Sequence, residues 1–252
     1  MLEISTTIVT VVLAFGLAVA GGVVSAMAGV SHKRLCALIS LAAGTLMGVT
    51  LFSILPEAAH VLPVWELAVA LLSGYAVFYL ISKYVFHVCP ACAASHFDEA
   101  TTHRFSEIAS SLVIALTVHS SLDGLALAAG HEAGGRLDMS LVLAVCVHKV
   151  PEGLALGALL LGAGFRKWQT VGWVAAVEAT TLLGGAIGLW VLPGVSPVWL
   201  DAVLAHVGGG FIYLAVHAVF GELVKHDKKT VLVNFAVGVG LIAGLNLVLR
   251  FL

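Results

Sequence analysis

The sequence predicts an all-α, polytopic membrane protein with eight transmembrane helices and both termini on the outer side. Of its 252 residues, 60% are hydrophobic and only 10% are charged, and the mean hydropathy is +1.08. Soluble domains carry roughly 25% charged residues, so this composition is typical of a chain surrounded by lipid. Eight apolar runs follow one another, each close to the ~20 residues that a helix needs to cross a bilayer. They leave no room for a soluble domain, so residues 1–252 are predicted to form a single transmembrane domain.

The first three predicted helices span residues 6–30, 35–60 and 64–86. A signal peptide is the alternative for the first of them, because Ala26-Met27-Ala28 looks like a cleavage site. Signal peptides begin with basic residues and have a shorter apolar region, whereas residues 1–5 contain no Lys or Arg. A membrane helix is therefore the preferred interpretation.

The other predicted helices span residues 105–129, 139–161, 168–192, 200–220 and 231–252. The sixth contains Glu178, and the glycine run 208–210 is expected to break the seventh. Small residues four apart let helices approach closely in lipid. Such spacings occur at Gly44-x-x-x-Gly48 and Gly153-x-x-x-Gly157.

The orientation is predicted from the bias of Lys and Arg towards cytoplasmic loops. On the eight-helix assignment, most of the basic residues fall on one side: Lys33, Arg34, Lys83, Arg104, Arg166, Lys167, Lys225, Lys228 and Lys229. The opposite side holds only Arg136 and Arg250, while Lys149 lies within a helix. The basic side is therefore predicted to be cytoplasmic, and both termini are predicted to face outwards.

Composition also excludes some classes of function. The formal net charge is −2 and no basic footprint occurs, so nucleic acid is not an expected partner. The four cysteines suggest no disulfide framework, because two of them lie within apolar runs. No Gly-x-x-x-x-Gly-Lys-[Ser/Thr] motif is present, so direct use of ATP is not expected.

Two neighbouring helices carry the same polar motif. Residues 119–127 and 148–156 both read His-x-x-x-acid-Gly-Leu-Ala-Leu, and a His and a carboxylate four apart share one helix face. A short loop joins the two helices, so they are expected to be antiparallel neighbours with both imidazoles at similar depth. Pro151 is expected to kink the second helix near residue 147.

These motifs indicate a metal site. Ionisable groups at membrane depth are costly and usually mark an ion or proton path. Two imidazoles and two carboxylates suit Zn²⁺ and tolerate Fe²⁺, Mn²⁺ or Co²⁺, whereas Cu(I) prefers softer ligands. Taken singly, each residue has a structural alternative, as a core histidine bonded to a carbonyl or as half of an ion pair. The repetition of the motif favours the metal site.

With these motifs the chain resembles the ZIP family of divalent metal transporters. In that family the fourth helix carries His-x-x-x-[Asp/Glu]-Gly and the fifth carries His or Gln followed by x-x-Pro-Glu-Gly. The likeness extends to Leu55-Pro56-Glu57-Ala58 at the end of the second helix and to a link rich in metal ligands after the third. It implies that the transported ion binds to His119, Asp123, His148 and Glu152. It also implies that Ser120, Lys149, Glu152 and Glu178 match an adjacent second site of binuclear members.

Lys149 departs from the ligand pattern of the family, which has a carboxylate there. A protonated amine repels cations and has no lone pair to offer. We therefore hypothesise a mononuclear site in which Lys149 replaces the second metal and pairs with Glu178 or Glu152. The alternative is that Lys149 points away and extends towards the membrane interface.

A third group of possible ligands lies in the link at about residues 87–104, which the topology predicts to be cytoplasmic. It consists of His87, Cys89, Cys92, His96 and His103. Thiolates and imidazoles suit Zn²⁺. A redox role of Cys-x-x-Cys is disfavoured because no βαβ pattern surrounds it. A metal-accepting or sensing loop and the absence of any role both remain open.

Polar residues near helix ends provide a possible entrance and exit. Glu57 and His60 lie near the outer end of the second predicted helix, and His217 and Glu222 lie near the inner end of the seventh. Ordinary interfacial anchoring explains each of them equally well.

The expected function is transport of a divalent cation, first of all Zn²⁺ and also Fe²⁺, Mn²⁺ or Cd²⁺, towards the cytoplasm by an alternating-access carrier. The metal is the substrate, and no cofactor is expected. The resemblance implies a homodimer in which the first, fourth, fifth and sixth helices move. The plasma membrane or a bacterial inner membrane is the expected location. Alternatives are a metal-gated receptor or channel and an intramembrane zinc hydrolase, although no His-Glu-x-x-His motif occurs.

Deletion of residues 87–103 is expected to alter the regulation of transport more than transport itself, because the link lies outside the predicted helix bundle. Uptake of Zn²⁺ by cells that express the wild-type and deleted chains, with and without metal preloading, measures both effects. Complete loss of uptake would contradict a peripheral role of the link.

Overall fold

The computed structural model describes residues 2–28, 32–85, 102–133, 135–225 and 228–251, which are nearly all helical. The predicted all-α class is therefore confirmed. The helices are α1 (Leu2–Ala28), α2 (His32–Val49), α3 (Leu55–Val61), α4 (Val64–Leu80), α5 (Thr102–Ala133), α6 (Gly135–Gly162), α7 (Lys167–Val191), α8 (Pro197–Lys225) and α9 (Lys228–Leu249). Thr50–Ile54 and Ile81–Val85 form π-helical turns after α2 and α4.

Seven helical stretches in the described ranges are long and apolar enough to cross a membrane. They match all the predicted helices except the fourth, which corresponds to α5, a helix of 32 residues. The second of them, Cys36–Val61, runs from α2 through the π-helical turn into α3. The chain is thus an integral, multi-pass membrane protein. The count of eight spans and the outward-facing termini stay predictions.

Exposed tryptophans lie near the helix ends, as expected for side chains at the membrane interface. Trp168 and Trp190 lie near opposite ends of α7 and are 80% and 87% exposed. At about 1.5 Å per residue they are separated by ~33 Å along the helix, close to the ~30 Å thickness of the hydrocarbon region. Trp199, across the short loop from Trp190, is also exposed. The length of α7 therefore fits the bilayer.

The tightest helix contacts are made by glycines whose missing side chains let backbones approach. A Cβ atom at Gly153 of α6 would overlap the carbonyl oxygen of Ala18 in α1. A Cβ atom at Gly184 of α7 would likewise overlap the carbonyl oxygen of Ser121 in α5. Small residues serve this purpose between membrane helices, where burial from water supplies no driving force.

The glycine run in α8 was expected to break the helix, and this expectation is wrong. The helix is continuous from Pro197 to Lys225. Gly209 faces the carbonyl oxygen of Leu71 in α4, and Gly210 faces the ring of Phe78. Glycine has a low intrinsic helix propensity, but here close packing against α4 outweighs it.

The glycine contacts divide the helices into two groups. The core group is α1, α5, α6 and α7, and the frame group is α2, α3, α4, α8 and α9. Wherever a Cβ atom built on a described glycine would lie within 4 Å of another helix, that helix belongs to the same group, with the π-helical turn Thr50–Ile54 counted in the frame group. Between the groups the packing is by side chains, such as Ile39 and Ala43 of α2 with Leu154 and Ala155 of α6. Backbone-to-backbone packing at glycine is thus confined to each group.

Substitution of Gly184 by Ala is expected to destabilise the protein by about 1–3 kcal/mol, because an added methyl group forces α7 away from α5. Thermal unfolding of the purified protein in detergent measures the effect. Gly172→Ala is the matched control, since Gly172 lies on the same helix and an added carbon there would meet no atom of another described helix within 4 Å. Equal unfolding temperatures for the two variants would contradict this account of the packing.

Candidate metal centre

The two polar motifs meet inside the core group. The helices α5 and α6 are antiparallel neighbours, as their short connection predicts, because His131 pairs with Asp138 near one end and His119 lies beside His148 further along. His119 and Asp123 are one turn apart on α5, and His148 and Glu152 are one turn apart on α6. The ring centroids of the two histidines are 5.5 Å apart. The two imidazoles thus come to lie side by side.

Four potential ligand groups converge at this point. One nitrogen or oxygen atom from each of His119, Asp123, His148 and Glu152 lies within 4.8 Å of all the others. Nε2 of His148 is 3.0 Å from Oδ2 of Asp123, and Nε2 of His119 is 3.4 Å from the same oxygen. The Nε2 atoms of both histidines are 3.9 Å from carboxylate oxygens of Glu152. The side chains are at most 7% exposed.

The backbone of α6 orients the His148 ring. Nδ1 of His148 lies 2.9 Å from the carbonyl oxygen of Ala144 and donates a hydrogen bond to it. The other nitrogen, Nε2, lies 3.0 Å from Oδ2 of Asp123 and, when it carries a proton, donates a hydrogen bond to that oxygen. Loss of this proton leaves a lone pair on Nε2 that can bind a metal ion. Histidines that bind metals are commonly fixed in this way by a second hydrogen bond.

Some polar atoms of the cluster have no hydrogen-bonding partner among the described residues. Oδ1 of Asp123 is one of them, and Nδ1 of His119 is another. Buried polar groups are normally satisfied, so an unpaired carboxylate oxygen in a membrane interior calls for a ligand or a bound water. Asp123 therefore has capacity to bind a cation beyond its contacts with protein.

Lys149 lies beside the four potential ligand groups and is fully buried. Its Nζ atom is 2.9 Å from Asp123, 2.8 Å from Glu152 and 2.9 Å from Glu178. Nζ also donates a hydrogen bond to Oγ of Ser120 at 2.9 Å. The side chain thus points into the cluster, and the alternative in which it extends towards the interface is wrong.

Ser120 and Glu178 join the network from α5 and α7. Oγ of Ser120 lies 3.0 Å from Oε1 of Glu152 and 3.2 Å from Oε2 of Glu178, and its single hydrogen serves one of them. Both residues are fully buried. The seven residues that the sequence indicated for a transport site and an adjacent second site therefore lie together.

Two aromatic side chains of the frame group, Phe78 and Phe211, lie over the histidines and form an aromatic wall that no sequence pattern predicted. The ring of Phe78 on α4 packs edge to face against His119 at 6.3 Å, and Phe211 on α8 packs against His148 at 6.4 Å. Tyr213 stacks on Phe78. Aromatic residues are common in membrane helices, so no motif distinguishes these three.

The peripheral residues lie elsewhere. Glu57 and His60 are exposed on α3. The ring of His217 stacks on Tyr213 with centroids 3.9 Å apart and donates a hydrogen bond to its carbonyl oxygen. None of these three belongs to the four-ligand cluster. Their roles as entrance or exit stay predictions.

Other predicted features fall outside the description of the structure. His87, Cys89, Cys92 and His96 lie outside the described residues, and so do the side chains of His103 and Glu222. Pro151 lies within α6, which runs as one helix from Gly135 to Gly162.

Comparison with known proteins identifies the family. The profile of the ZIP zinc transporter family matches residues 91–246, more than half of the chain and the part that contains the cluster. The zinc transporter zipt-7.1 of Caenorhabditis briggsae is 30% identical over 119 residues, which make up 45% of this chain and 29% of that protein. The family consists of transporters, so the hydrolase alternative is not supported. The chain belongs to the ZIP zinc transporter family.

Proposed function

We propose that the protein transports a divalent metal cation across the membrane, and that the ion binds to His119, Asp123, His148 and Glu152. The observation that carries the proposal is the convergence of these four ligand atoms within 4.8 Å of one another. The groups are buried within the helix bundle, on α5 and on the membrane-spanning α6, where ionisable residues are costly unless they serve an ion path.

Zn²⁺ is the proposed principal substrate. Imidazole nitrogens and carboxylate oxygens are common Zn²⁺ ligands, and four of them complete its preferred coordination. The zinc transporter of Caenorhabditis briggsae supports this choice. We expect the same ligands to bind Fe²⁺, Mn²⁺ and Cd²⁺ as well, because a site of nitrogen and oxygen ligands binds several divalent metals with different affinities.

The division into two groups supports an alternating-access carrier. The four ligands lie on α5 and α6, so they all belong to the core group. The aromatic wall of Phe78 and Phe211 belongs to the frame group. Movement of the core group along the frame would carry the ion past this wall without separating its ligands. Side-chain packing between the groups, as at Ala43 and Ala155, suits such a movement better than interlocked backbones.

The direction of transport and the oligomeric state rest on likeness to the family. We propose transport towards the cytoplasm by a homodimer on that ground. Among the described residues, α4 is the span with the smallest share of buried residues, followed by α9. Both helices belong to the frame group, so their outer surfaces face lipid or a second copy while the core group moves.

Replacement of His119 by Ala is expected to reduce metal uptake about tenfold or more, because loss of one ligand weakens a four-ligand site. Counterflow of Zn²⁺ into liposomes that contain the purified protein is the measurement. His131→Ala is the matched control: His131 lies on the same helix and pairs with Asp138 at 3.2 Å, away from the cluster.

The control variant is expected to retain uptake close to that of the wild type. Liposomes with the wild-type protein that show no metal flux would refute the transport function. Equal uptake by the two histidine variants would instead show that transport does not use the cluster.

A further inference from the structure

We propose that Lys149 is a fixed counter-charge which sets the capacity of the cluster to one divalent cation. The inference rests on the proposed function, since it concerns the same site. On this proposal Lys149 determines how many ions bind. Its ammonium group fills the space of a second ion and supplies positive charge in its place.

The contacts of Lys149 engage four oxygen atoms of the cluster. Nζ donates hydrogen bonds to Oγ of Ser120 and to Oε2 of Glu178, both at 2.9 Å. It also forms ion pairs with Asp123 at 2.9 Å and with Glu152 at 2.8 Å. An ion at the same point would bind these same oxygens. The ammonium therefore stands where a second cation would have to stand.

The lysine leaves the other half of the cluster open. Oδ2 of Asp123 lies 2.9 Å from Nζ of Lys149, 3.0 Å from Nε2 of His148 and 3.4 Å from Nε2 of His119. Oδ1 of Asp123 has no partner among the described residues. A cation held by the histidines thus has its own carboxylate oxygen available. The ammonium and one metal ion can therefore share the carboxylate of Asp123, which pairs with Lys149 through Oδ2 and has no other partner for Oδ1 among the described residues.

The charge of the cluster matches one divalent ion. Asp123, Glu152 and Glu178 carry three negative charges and Lys149 carries one positive charge, so the formal charge is −2 when both imidazoles are neutral. One divalent cation makes the site neutral, whereas two would leave it at +2. Uncompensated charge is expensive in a buried site of low dielectric constant. The site with two ions is therefore disfavoured relative to the site with one, while the empty site can reach neutrality by binding protons in place of the metal.

A merely structural lysine would hold the three carboxylates together without setting the ion count. The two roles are distinguished by the number of metal ions bound, because only a counter-charge excludes a second ion. Purified protein, stripped with a chelator, is dialysed against Zn²⁺ and the metal per chain is measured by mass spectrometry. The Asp123→Asn/Glu152→Gln variant is measured in parallel, and its bound metal is subtracted. The subtraction removes metal held by Cys and His residues elsewhere in the chain.

The wild-type cluster is expected to bind one ion per chain and Lys149→Asp two, because the substitution replaces the ammonium by another ligand. Lys149→Arg is the matched control and is expected to stay at one ion, since it retains the charge. Two ions in the wild type would overturn the inference, as would one ion in a folded Lys149→Asp variant. A wild-type cluster that binds none would instead refute the proposed transport site.

A second pair of variants tests charge without adding a ligand. Glu178→Gln leaves a formal charge of −1, so the Zn²⁺ affinity of the cluster is expected to fall about tenfold or more. Lys149→Met combined with Glu178→Gln restores −2, and the affinity is expected to return to within about threefold of the wild type. The midpoint of thermal unfolding without metal verifies that each variant is folded. A double variant as weak as Glu178→Gln would overturn the inference.

Discussion

The ion pairs between Lys149 and three carboxylates hold the centre of the bundle together. Lys149 and Glu152 come from α6, Asp123 from α5 and Glu178 from α7, so one ammonium group links three helices. Removal of one partner from a buried pair typically costs about 3–5 kcal/mol, because the remaining charge is left without compensation. The same contacts place Asp123 and Glu152 against the two histidines. The stability of the core group and the geometry of the cluster therefore both depend on the ion pairs of the Lys149 ammonium group.

Glycine packing makes this arrangement possible. Gly124 lies one position after Asp123 and faces the backbone of α7, and Gly153 lies one position after Glu152 and faces α1. Each acidic residue of the repeated motif is thus followed by a point of close helix approach. Larger residues at these two positions would separate the helices and pull apart the groups that form the cluster. The His-x-x-x-acid-Gly pattern accordingly combines the proposed ligands with the helix contacts that position them.

The sequence predicted this local chemistry well and the packing less well. The spacing of His119 from Asp123, and of His148 from Glu152, places ligands on one face because helix periodicity is a local property. The glycine run at 208–210 was misjudged because its role depends on α4, which is distant in the chain. Phe78 and Phe211 carried no recognisable signal, since their importance arises only from facing the two histidines.

The sequence by itself determined that the chain is a helical membrane protein, and that two neighbouring helices present His and carboxylate groups at one depth. These conclusions follow from hydropathy and helical periodicity, which require no knowledge of distant contacts. Only the tertiary structure decided the direction of Lys149. From its position in α6 the side chain had two options, the cluster or the membrane interface. Burial against Asp123 and Glu178, which belong to other helices, selected the cluster.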